Sequence, residues 1–311
     1  MYKSLGLIHV RGIMNNKTIA LNEALKRVVS ETHQKPVINQ YELISYIYML
    51  YRDKSFDGVK IGKISLDEPD ARVIQRNIDD LIDKKIISQH IGLPIYFVNG
   101  RPIPTAQQYI CSIYQFSYLS YLSAMEWHGI TDRIPYTVHV TACLNSRYKT
   151  LLNEIIFKEF NNVSNPNAFY MPRVSAPPSF DGKKFKIHQS SSFVMPREVS
   201  GSGGVRVSTI GDTFLDMLKK PDLCGGINHV IDVYEEFAAD HLPVILRAFD
   251  KRGNSMDRAR CGYILENVCC LSHRTIDKWK SDVQRGGSRK LVPENEYSSE
   301  YSEAWCLSIN L

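Results

Sequence analysis

The chain has 311 residues, 43% of them hydrophobic, as expected of a soluble globular protein long enough for two domains. No apolar run reaches the ~18 residues of a membrane span. The opening MYKSLGLIHVRGIMNNK is interrupted by His9 and Arg11 and lacks signal-peptide form, and seven cysteines without a CxxC pair fit reduced thiols in a cytoplasm. The net charge of +5 is unevenly spread, with 15 Lys/Arg against 11 Asp/Glu in residues 1–104, 9 against 6 in 105–199 and 14 against 16 in 200–311. A basic front and a slightly acidic back suit a polyanionic partner for the front.

Residues 16–32 and 38–54 place apolar side chains at three- and four-residue spacings and predict two helices. After SFDGVKIGKI, Ser65 and Glu68 have capping-box spacing and Pro69 suits a helix start. A helix from about Asp70 to Lys85 would bury Ile74, Ile78, Leu81 and Ile82 and display Arg72, Gln75, Arg76 and Asp79, with Lys84 and Lys85 at its end. The stretch ISQHIGLPIYFVNG then reads as a hairpin turning at Gly92-Leu93-Pro94. Helix, helix, basic-faced helix and hairpin is the order of a winged helix-turn-helix, and VIQRNIDDLIDKKII resembles the recognition-helix line of that family.

Such a helix fills the major groove, where side chains reach base edges and cations grip phosphates. Asp79, Asp80 and Asp83 oppose phosphate along the C-terminal half, so a solvated amphipathic helix is the competing reading. NGRPIPTAQQ reads as a linker, which divides the chain into residues 1–104 and 105–311.

In SYLSYLSAMEWHGITD, Tyr118, Leu119, Leu122, Ala124 and Met125 recur at helical spacing, and Gly129 sits where a left-handed cap belongs. His128 would satisfy terminal carbonyls at the negative end of the helix dipole. Trp127-His128 is therefore read as a structural helix end rather than a catalytic or metal-binding dyad. A β-like run follows it.

This passage resembles the start of the C-terminal domain of the AbiEi-type antitoxins, bacterial transcriptional regulators from abortive-infection loci. VRVSTIGDTFLDMLKKPDLCGG, ARCGYILEN and GGSRKLVPE…AWCLSIN are similar, in order, to that family's strand–helix–glycine step, its Arg-x-Gly-Tyr helix and its closing strand. The resemblance covers roughly residues 106–311. It implies an α+β chain, with a winged helix-turn-helix followed by a mixed helix/strand antitoxin domain. It further implies a repressor of its own operon that binds inverted repeats in double-stranded DNA at its promoter. A type IV antitoxin of this kind counteracts a nucleotidyltransferase-like toxin without requiring a stable complex, uses no cofactor and engages no membrane.

Other motifs are weaker. VSGSGGVRV lacks a phosphate-loop pattern, and Gly225-Gly226 more simply resets chain direction than binds an anion. Cys269, Cys270 and His273 lack further ligands for a metal and read as buried thiols beside a histidine. No Ser/His/Asp order or paired metal-binding carboxylates point to catalysis. Lys183, Lys184 and Lys186, beside Phe185 and downstream of Arg173, read either as a second phosphate contact or as a solvated surface. Arg289 and Lys290, beside an expected edge strand, read as structural rather than as a further contact. Two alternatives stay open: a winged-helix regulator without a toxin partner, and a nucleic-acid-processing enzyme targeted by its winged helix.

Overall fold

The structure, a computed structural model, describes residues 18–311 except 91, 162, 173, 175–176 and 284–288. The opening segment read for a signal peptide, Arg173 and residues 286–288 of the GGSRKL stretch lie outside the described residues.

Helix α1 (Leu21–Arg27) runs into a π turn (Val28–Thr32) and contributes Ala24, Leu25, Val28 and Val29 to the core. Strand β1 (Val37–Asn39) leads into α2 (Gln40–Asp53), where Asn39 and Glu42 each accept from the other's backbone amide. That reciprocal cap satisfies donors a helix start otherwise leaves open. A short hairpin follows, β2 (Ser55–Phe56) and β3 (Val59–Lys60), and then α3 (Ala71–Asp83), β4 (Ile87–Gln89) and β5 (Ile95–Val98). Strand β5 lies between β1 and β4 and is antiparallel to both.

The cap of α3 differs from the sequence expectation. Asp70, not Ser65, accepts from the Val73 amide at 2.7 Å. Glu68 reaches instead across 96 residues to the amide and hydroxyl of Ser164. Spacing alone cannot tell a local cap from a carboxylate claimed by a distant loop.

The next layer begins with α4 (Ala106–Ile113), β6 (Ser117–Leu119), α5 (Tyr121–His128), β7 (Thr137–Cys143), α6 (Asn145–Phe160) and β8 (Lys184–Ser190). Strand β7 is central, antiparallel to β6 and parallel to β8. Tyr118 and Leu119, expected on the helix, are strand: they pair with Thr141 and Val140 of β7, and Leu119 also bridges Val207. Three residues carry too little period to distinguish strand from helix, and their partners decide.

Helices α7 (Ile210–Lys219), α8 (Ile227–Arg252), α9 (Ser255–Tyr263) and α10 (Arg274–Ser281) follow, then strands β9 (Tyr301–Ser302) and β10 (Leu307–Ser308). The protein is thus mixed α+β. Two glycines set how closely this part packs. A Cβ on Gly211 would collide with the Val244 carbonyl of α8, and one on Gly262 with the Trp305 ring. That second contact gives ARCGY and AWCLSIN their physical meaning: the closing segment sinks a fully buried Trp305 onto a glycine of α9. Its indole donates to Glu266 at 2.8 Å, and Lys280 pairs with the same carboxylate at 2.8 Å.

The apolar core crosses the expected boundary after residue 104. Ile44, Ile47 and Leu50 of α2 share one cluster with Tyr148, Leu152 and Ile156 of α6 and with Phe169. The Phe169 ring lies 4.6 Å from that of Tyr48 and 5.7 Å from that of Tyr41. No described helix is long and apolar enough to cross a membrane.

Candidate nucleic-acid interface

Helix α3 is shaped by its period. Ile74, Asn77, Ile78 and Leu81 are buried, while Arg72, Gln75, Arg76 and Asp79 face outward. Ile82, expected in the core, is half-buried at its edge. Asn77 is polar in an apolar row, and its amide donates to the Val73 carbonyl at 2.8 Å. The Asp70 carboxylate at the first turn also suits the positive end of the helix dipole.

The outward groups differ in freedom. Gln75 donates to Asp79 at 2.8 Å, and Lys84 pairs with Asp80 at 2.7 Å. Arg72 and Arg76 are exposed, and among the described residues no carboxylate lies within ion-pair distance of either. Lys85 follows the helix in the left-handed region (φ 55°), its carbonyl accepting from Asn99 at 2.7 Å. Lys84 offsets the charge of Asp80, whereas Asp79 accepts only from the neutral Gln75 amide and Asp83 is exposed, so the C-terminal half of the helix still opposes phosphate. A 13-residue helix with two unpaired guanidinium groups near its start has the chemistry to grip phosphate or to read guanine by paired hydrogen bonds.

The lysines of residues 183–186 are not part of this face. They belong to β8 and the residue before it, in the sheet built on β7. Lys183 donates to the Pro135 carbonyl at 2.6 Å, and Lys184 sits 5.6 Å above the Tyr136 ring. Lys184 and Lys186 are exposed, whereas Phe185 and Ile187 pack inward, the two-residue period of a strand. Lys183 is therefore engaged structurally.

His128 does not cap its own helix. Gly129 closes α5 in the left-handed region (φ 68°), and the Gly129 and Ile130 amides serve the last carbonyls. The His128 Nε2 donates instead to the Ser208 carbonyl at 2.7 Å. Burial holds the ring below its ordinary pKa, which favours the neutral form with the proton on Nε2. Trp127 beside it is 37% exposed, not packed as a helix end would suggest.

A second polar group has no local motif. Parallel pairing of β7 with β8 stacks His139 on His188, with Nδ1 of the first 3.0 Å from Nε2 of the second. One ring donates and the other accepts. The Tyr121 ring meets His188 edge-on at 4.8 Å, and the Thr141 hydroxyl beside it on β7 donates to that of Ser120 at 2.9 Å. Burial, then His139 and Lys186, push His188 down to about 4. Burial pushes the Asp216 carboxyl up to about 7, opposed by Lys219, and the Tyr118 and Tyr121 phenols up to about 12. At neutral pH both histidines and both phenols are uncharged. A two-residue period can be read in a sequence, but a parallel pairing that brings together two histidines 49 residues apart cannot.

Among the described residues, no group of three or more His, Cys, Asp or Glu side chains is placed to hold a metal ion. Cys269 is half-buried, its thiol pushed up to about 12 by burial and Glu235, whereas Cys270 is exposed, which corrects the expectation of two buried thiols. His273 caps α10 by accepting from the Thr275 amide. Arg289 is half-buried, with no hydrogen-bond partner for Nη1 among the described residues, and Lys290 donates to the Asn295 carbonyl.

No family model matches the sequence, and no curated protein matches it. The solved structure of the RV2827C protein from Mycobacterium tuberculosis is similar at a TM-score of 0.45 and 12% identity, over 92% of this chain and 90% of that one. A likeness of that size carries no argument about family or function.

Proposed function

We propose that this chain is a DNA-binding transcriptional repressor and the antitoxin of a type IV toxin–antitoxin system, not an enzyme. The observation that carries the DNA half is the α3 face, where Arg72 and Arg76 stand exposed and unpaired by described carboxylates. The order α1, β1, α2, α3, β4, β5, with β5 between its two partners, supports reading this unit as a winged helix-turn-helix. In that reading α3 enters the major groove of inverted repeats at the protein's own promoter, and Lys84 and Lys85 approach the backbone.

The antitoxin half rests on the resemblance of residues 106–311 to the AbiEi-type family. Its partner would be a nucleotidyltransferase-like toxin, countered without a stable complex, in a phage-defence locus of the cytoplasm. The test is a pair of readouts in one host. A reporter driven by the region upstream of the gene should be repressed by the full chain and released by Arg72→Gln/Arg76→Gln. Growth inhibition by the product of the adjacent gene should be relieved by both proteins. Repression without relief would leave a regulator with no toxin partner, and relief without repression would remove α3 from promoter recognition.

A further inference from the structure

In the winged-helix reading, hairpin β4–β5 is the wing. It is poorly equipped to hold DNA. Between Lys85 and Arg101 the sequence has neither Lys nor Arg. Part of its turn is also covered: Leu93 is buried with Val37, Tyr109 and Ile113, and Pro94 is buried beside it, while Gly92 is exposed. His90 packs 5.5 Å from the Phe97 ring and 5.6 Å from that of Tyr109, whose hydroxyl lies 3.3 Å from its Nε2. Phe180 stacks on the other side of Tyr109 at 4.2 Å.

Hairpin β2–β3, inserted between α2 and α3, has the opposite character. Its frame is fixed: Phe56 lies under the Arg27 guanidinium at 5.0 Å, and Arg27 reaches Asp57 at 3.5 Å. At its base the Ile61 amide bonds the Lys54 carbonyl and the Gly62 amide bonds that of Ile19. Ile61 is buried in the same core as Ile74, Ile78 and Leu81 of α3. Near Ile19, Asn22 donates to Asp80 of α3 at 3.4 Å, so one scaffold carries both hairpin and helix. The acids of this insertion have partners, Asp57 on Arg27 and Asp67 on Lys54 at 3.0 Å. Lys60 and Lys63 are exposed, with no described carboxylate within ion-pair distance. Nothing of the described protein neutralises them, and their charge complements a phosphate backbone.

We propose that Lys60 and Lys63 of the β2–β3 insertion grip the backbone of duplex DNA beside the α3 face, in the role that the β4–β5 hairpin, without Lys or Arg, cannot fill. The inference rests on the reading of α3 as a DNA-binding helix. Each lysine that neutralises a phosphate displaces counterions and adds about 0.9 to the slope of log affinity against log salt. The test measures the full chain on a mixed-sequence duplex of about 30 base pairs, at roughly 50 to 200 mM salt, where such contacts dominate. Lys60→Gln/Lys63→Gln should lower the slope by about two and weaken binding about tenfold or more near 100 mM. Lys60→Arg/Lys63→Arg should restore both, and Gln89→Ala on the β4–β5 hairpin should change neither. Melting temperatures of the same variants should match the parent, since both lysines are exposed. A glutamine double variant with parental slope and affinity, beside a weakened Arg72→Gln/Arg76→Gln, overturns this inference and leaves the α3 reading standing. Failure of the parent chain to bind the duplex at any salt in the range overturns both.

Discussion

The α3 face and the His139–His188 cluster are two places where polar side chains gather, and they are built on opposite terms. On α3 the arginines project into water, with no carboxylate of the described residues within ion-pair distance, so their interaction energy is left for a partner. Around His188, Tyr121 and Asp216, burial has pushed every group toward its neutral form, and hydrogen bonds within the protein use its donors. The difference separates a surface for polyanions from a polar joint that holds β7, β8 and α5 together. Substitutions should therefore divide cleanly, those in the interior changing stability and those on α3 changing binding.

The largest effect is expected at Phe169, which is fully buried where residues beyond 104 pack on α2. Phe169→Ala should cost ~3–5 kcal/mol, read by urea unfolding. A single transition moving as a whole would show that the two parts share one cooperative core, whereas a shift confined to one of two transitions would show that they unfold separately. Gly262→Ala should follow, at ~1–3 kcal/mol or somewhat more, because the new methyl meets the buried Trp305 ring. Parental stability in that variant would mean that Trp305 is not seated on α9.

The polar joint should show itself in pH dependence. Asp216 is raised from 3.8 to about 7, so the folded protein holds a proton the unfolded chain has released, and stability from this group falls as pH rises from about 4 to 7. His188 is lowered from 6.5 to about 4, so its contribution is complete above 6.5 and is lost as pH falls through 4. The two slopes oppose each other between about 4 and 6.5. Asp216→Asn should accordingly raise the melting temperature more at pH 8 than at pH 5, and His188→Gln should flatten the loss on the acid side. An Asp216→Asn gain independent of pH would contradict a carboxyl whose pKa burial raises.

The smallest effect is expected at His128, whose loss removes a single hydrogen bond to the Ser208 carbonyl, worth ~0.5–1.5 kcal/mol. His128→Gln should melt slightly lower and bind DNA as the parent does. Lost binding in a folded variant would make this helix end part of the interface.

Much of α3 was legible because thirteen residues give the helical period room to repeat. The same regularity placed Arg72, Gln75 and Arg76 outward. What escaped reading was decided by distant partners. Glu68 looked like a local cap and is bound by Ser164. Ser117–Leu119 looked helical and is strand because β7 and Val207 lie beside it. Lys183 looked available and is held by Pro135. Each miss concerns a contact across the chain, which no window of neighbouring residues contains.

The central claim is that the exposed arginines of α3 bind DNA, and its most direct test is the affinity of Arg72→Gln/Arg76→Gln for the duplex upstream of the gene. Gel shifts over a salt series, with melting temperature measured on the same samples, separate binding from folding. The account predicts unchanged melting, a shallower salt slope by about one unit for each arginine on phosphate, and ~1–3 kcal/mol less discrimination for one that reads a base. Parental affinity, slope and sequence preference in the double variant would contradict it.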